Sequence, residues 1–128
     1  MKRLMFITLL LVPITSFAIN TSERFWFCRQ TGLLDGKLYT FMSEIWEDSY
    51  SNNYDLRQLS FEKFIQKKTQ SKFNPSFEAK CREYYNPKHA KKHRKVEIDT
   101  SNKYQANVVE LDWKWEPDAE TDSNKLIR

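Results

Sequence analysis

Residues with the means to do chemistry lie in three places in this chain. The first is "NPKHAKKHRK", residues 86–95, where His89 and His93 stand among Lys88, Lys91, Lys92, Arg94 and Lys95. On a helix, two His four apart share a face, which is one way to begin a zinc site. A zinc protease of the H-E-x-x-H kind needs Glu after the first His, and Ala90 stands there. The flanking cations would repel a metal, so no metal site and no cofactor are expected. The second place is Glu44, Glu47 and Asp48. Paired carboxylates can hydrolyse glycosides, but so small a domain seldom encloses a cleft of the usual size. Charges at the end of a strand are the commoner outcome. The third is the cysteines, Cys28 and Cys81. No G-x-S-x-G turn offers a serine nucleophile. Only two glycines are present, which excludes a glycine-rich phosphate cradle. A small hydrolase is therefore the least favoured of three functional classes.

The compartment narrows these options. Lys2 and Arg3 precede the apolar "LMFITLLLVPITSFA", which ends on Ser16-Phe17-Ala18. This has the form of a secretory signal peptide, residues 1–18, cut after Ala18. Its apolar run falls short of the about 20 residues of a membrane span, and no later segment is apolar enough to serve as one. The mature chain is expected to be soluble, in the periplasm or secreted. Without Lys2 and Arg3, 19 basic side chains face 17 acidic ones, a net of +2 against +4 for the whole chain. Nucleic-acid binding wants a strong basic stripe beside a known motif, so no nucleic-acid partner is expected. In an oxidising compartment two Cys read as one disulfide. Cys28–Cys81 would close a loop of about 54 residues, worth roughly 4 kcal/mol in the chain-entropy account.

The elements that would position these residues can be read in order. "RFWFCRQ", residues 24–30, is a strand rich in β-formers. Asp35-Gly36 marks a hairpin turn, and "KLYTFMSEIWED", residues 37–48, is a second strand. Asp55 is placed to cap a helix, with Gln58 at capping-box distance. Leu59, Phe61, Phe64 and Ile65 give that helix an apolar side. "SFEAKCREYY" alternates as a third strand with Cys81 on its apolar face. Asn86-Pro87 opens a second helix that should fray near residues 99–102. Val109, Leu111, Trp113 and Trp115 alternate with polar residues as a last strand. The expected fold is an α+β domain over 19–116, element order ββαβαβ. It would have a small antiparallel sheet, helices on one face and one disulfide. Residues 117–128 read as a flexible tail.

Several short patterns recur together: Phe27-Cys28 with its aromatic lead-in, Gly36-Lys37-x-Tyr39, Ser43-Glu44-Ile45-Trp46, Phe61-x-x-Phe64-Ile65, Cys81, and Val108-Val109-x-Leu111-x-Trp113. With them the chain resembles a loose group of short exported bacterial proteins and C-terminal modules with two Cys and a closing Val-Val-x-x-x-Trp strand. That resemblance implies the fold and the compartment; the group carries no established activity.

The leading expectation is a non-enzymatic protein that binds another envelope protein, inhibitor- or immunity-like. The alternative is an envelope accessory protein that recognises glycan or an anionic surface. Candidate contact residues are Lys91, Lys92, Arg94 and Lys95 on the second helix, together with Trp46 and Trp115. The two Trp follow from the expectation that a sheet covered on one side leaves aromatics bare on the other.

Overall fold

The computed structural model describes residues 24–48 and 54–117. The signal segment and residues 118–128 of the tail lie outside these. β1, Arg24–Leu34, is the centre of the sheet. A two-residue turn joins it to β2, Lys37–Met42. Asp35 and Gly36 both have positive φ, 53° and 79°, the backbone of a type I′ hairpin. β3, Trp46–Asp48, continues along the same edge of β1. On the other edge lie β4, Asn74–Pro75, and β5, Lys80–Tyr84. Gly32 lets β4 in, since a Cβ there would collide with the backbone of Asn74 and Pro75. β6, Asn107–Glu110, lies outside β2.

The α+β class and the Cys28–Cys81 disulfide are as the sequence indicates. The two Cys face each other directly across β1 and β5. Cys28 turns its N–H and C=O to Ser43, away from Cys81. The Cys81 N–H goes to the Gln58 side chain. The pair therefore needs no ladder bonds between its own backbones, the arrangement that brings side chains closest.

Two features depart from the expected layout. First, β6 runs parallel to β2, so the sheet is mixed. The chain reaches β6 through a helix, and such a crossover delivers a parallel strand. β6 also ends at Glu110; Leu111 still donates its N–H to Met42 of β2, and Leu111, Trp113 and Trp115 keep their alternation of burial in a segment that is not part of a strand. Second, the helices cover opposite faces. α1, Tyr54–Lys68, packs Phe61 and Ile65 on Trp26, Cys28, Phe41, Trp46 and Cys81. α2, Pro87–Lys103, meets the alternate side chains. His93 stacks on Tyr84, which stacks on Phe27; Arg29 pairs with Glu97; Ser101 bonds Thr40. β1 carries bulky side chains on both faces, Trp26 and Phe27 being adjacent. Each face needs its own cover, so no aromatic face of β1 is left bare.

Between Met42 and Trp46 the strand carries one residue more than β1 does between Trp26 and Arg29. This is a β-bulge, and it shifts the alternation by one. Phe41 faces α1 and Met42 faces α2; strict alternation would send Trp46 to the α2 side. The extra residue returns it to the α1 side, opposite Trp26, with rings stacked at 6.4 Å.

Candidate partner-binding surface

α2 starts where its sequence says it should. Asn86 Oδ1 accepts the N–H groups of Lys88 (2.7 Å) and His89 (3.4 Å), and Pro87 takes the first position, where no N–H is needed. The helix runs on to Lys103, past the expected fraying. Its inner side is Ala90, His93, Arg94, Glu97, Ile98 and Ser101, a three-and-four spacing. Most of these are polar, and they attach through directed contacts. Arg94 Nε donates to the Ser43 carbonyl at 2.8 Å and its Nη1 meets Glu110 at 2.9 Å. Arg29 and Glu97 lie 2.8 Å apart. Burial raises the Tyr84 hydroxyl pKa, and Glu97 adds to it, while Arg82 and Arg29 pull it down.

The outer side is Lys88, Lys91, Lys92 and Lys95, all exposed. Lys95 also meets Asp99 at 3.0 Å, an exposed pair one turn apart. Of the four cations singled out in the sequence, Lys91, Lys92 and Lys95 face outward. Arg94 faces inward and fastens the helix to the bulge, so it belongs to the scaffold. His89 and His93 are both exposed, His93 with its ring stacked on Tyr84. Among the described residues no cluster of His, Cys, Asp or Glu is arranged to hold a metal.

Trp46 and Trp115 are 6% and 4% exposed. Both are core, which corrects their assignment to a contact surface. Trp46 Nε1 donates to Asp48 at 2.7 Å. Asp48 also pairs with Arg57, a fully buried side chain from α1. The Arg57 guanidinium lies over the Trp26 ring at 3.6 Å and the Trp115 ring at 4.6 Å. Cation–π contact on two indoles and a carboxylate partner offset the removal of this charge from water.

The three carboxylates singled out in the sequence do not form one site. Asp48 is committed to Arg57, and Glu47 is exposed on β3. Glu44, at the bulge, meets Asp112 from the C-terminal segment instead. Its pKa is raised above the usual glutamate value, first by the hydrogen bond with Asp112, then by burial and by the Asp112 charge; Lys114 and Arg94 oppose the shift. Nothing in the spacing of Glu44 and Asp112 announces this pair; only the parallel strand β6 brings the C-terminal segment to the bulge.

Compared with known protein families, with curated proteins and with solved structures, the chain gives no match. Among the described residues no helix is long and apolar enough to cross a membrane.

Proposed function

We propose that this chain is an exported, non-enzymatic binding protein of the bacterial cell envelope, inhibitor- or immunity-like, and that the outer face of α2 meets an acidic patch on another envelope protein. One observation carries the reading: four exposed lysines stand on one side of a helix whose other side is tied down along its length. A fixed array of like charges gives a partner a defined field to approach, and such fields act chiefly on encounter rate and orientation. The disulfide supports an oxidising compartment, and the Lys2-Arg3 segment with its apolar run supports export.

The test is a native pull-down from the periplasm of the source cell with the tagged chain, beside a Lys91→Glu, Lys92→Glu, Lys95→Glu variant. Arg94 is left intact, because changing it would disturb the scaffold. A stoichiometric protein captured by the native chain and lost by the variant supports the reading. A protein retained equally by both removes α2 from the interface. Capture of no protein, with salt-sensitive retention on anionic vesicles, would replace the partner protein with the envelope surface.

A further inference from the structure

The two edges of the sheet are finished differently. Beside β5, α1 acts as a substitute neighbour. Gln58 accepts the Cys81 N–H at 3.4 Å, and Glu62 accepts the Ala79 N–H at 2.8 Å. Four residues of helix rise about 6 Å, and two residues of strand span about 6.7 Å, so the two acceptors match the two donors in step. A sheet edge is thereby satisfied by side chains from a helix.

β6 has no such neighbour among the described residues. The Leu111 N–H donates to the Met42 carbonyl at 2.7 Å, which fixes the phase of the ladder. Residues 107, 109 and 111 turn their backbone groups toward β2. Val108 and Glu110 turn theirs outward, because N–H and C=O alternate sides along a strand. Next to this edge, on the α1 face, lies a cavity of about 310 Å³. Leu34, Tyr39, Phe41 and Val109 line it, together with the exposed Lys68, the last residue of α1, and Lys72 from the loop that follows. Asp35 is the one acidic residue in the lining. At the other end of the edge, the Glu110 carboxylate is engaged by Arg94.

We infer that β6 and this cavity receive an extended, acidic peptide segment of a partner protein, added to the sheet as a further strand. The segment's backbone pairs with the outward groups of Val108 and Glu110. Alternate side chains of an added strand point to one face. On the α1 face one apolar side chain enters the cavity over Val109 and Tyr39, and a carboxylate two residues along the segment meets Lys68 or Lys72. Two cations against one aspartate set the preference for an acidic segment. The cavity lies on the face opposite α2 and none of its lining residues belongs to α2, so the Lys68 and Lys72 contacts can be tested apart from the lysine face described above.

The experiment is selection of a displayed library of random ten-residue peptides on the full chain, followed by titration of an enriched synthetic peptide monitored by amide NMR. Enrichment of an apolar and an acidic residue two positions apart is expected, the spacing that puts both on one face of a strand, with slowed amide exchange at Val108 and Glu110. Val108→Pro removes an outward donor and should abolish binding, with folding checked by near-ultraviolet circular dichroism. The exposed pair Lys68→Glu, Lys72→Glu should weaken binding severalfold and leave the melting temperature unchanged. No enrichment would overturn the inference. So would peptides that bind the proline variant as they bind the native chain. Concentration-dependent dimerisation lost in Val108→Pro would overturn the peptide partner in favour of a second copy of this chain.

Discussion

On the α1 side of the sheet, Trp26, Cys28, Phe41, Trp46, Phe61, Ile65, Phe73 and Cys81 form one continuous apolar cluster. On the α2 side, a short stack of Phe27, Tyr84 and His93 is flanked by Arg29–Glu97, Arg94–Ser43 and Ser101–Thr40. The first side is held by removal of apolar surface from water, which is large and non-directional. The second is held by polar contacts that are individually modest but fix orientation. The difference suits the roles assigned to the two sides. The α1 side supplies stability, and the α2 side holds a charged helix at a set angle.

If that division is right, truncation on the α1 side should hurt most. Phe61→Ala should cost about 3–5 kcal/mol, read by urea denaturation. A cost below about 1 kcal/mol would mean the cluster can collapse around the loss, and would blur the contrast. Reducing Cys28–Cys81 comes next, at about 2–4 kcal/mol, seen as a lowered melting temperature. An unchanged melt would remove the staple from the account of stability. On the α2 side, Asn86→Ala should cost about 1 kcal/mol by leaving the Lys88 and His89 N–H groups without their cap. A loss as large as that of Phe61→Ala would show that α2 is as deeply integrated as α1.

The smallest effect concerns Glu44. Its folded pKa is raised, so the stability it contributes is full below the ordinary glutamate range and is lost as the pH climbs through the raised value. Asp112→Asn removes the hydrogen-bonding acid and its charge. It should flatten the pH dependence of the melting temperature in the mildly acidic range. A pH profile identical to that of the native chain would show that the two carboxylates do not share a proton.

Part of this design was legible in the residues. Asp35-Gly36 named its turn because few residues accept positive φ at both positions. Asn86-Pro87 named the start of α2. The pairing of Cys28 with Cys81 followed from their number and from the exported compartment expected from residues 1–18. α1 was legible in outline only. Phe61 and Ile65 are buried, but Leu59 is 51% exposed, and Arg57 sits four residues before Phe61 on the buried stripe. A charged residue at a core position reads as surface until its partners, Asp48 and two indoles, are assembled. Asp55 lies within the first turn of α1, and the Gln58 expected in its cap bonds to Cys81 instead. α2 concealed its side of the sheet because its inner positions are mostly polar. Their spacing is helical, but no apolar stripe marks them. The parallel pairing of β6 depends on where a whole helix delivers the chain, which local pattern does not encode.

The bulge between Met42 and Trp46 makes this domain sensitive to length as well as to composition. Trp46 and Asp48 reach the α1 side only because an odd residue precedes them. Removing any one of Ser43, Glu44 or Ile45 would invert the parity of Trp46–Asp48 against β1. Trp46 would be carried away from Trp26, and Asp48 away from Arg57. A substitution at Glu44 would leave that count intact. Such a substitution forfeits the contact with Asp112, whereas a single-codon deletion there would scramble the core as a shifted reading frame scrambles a message.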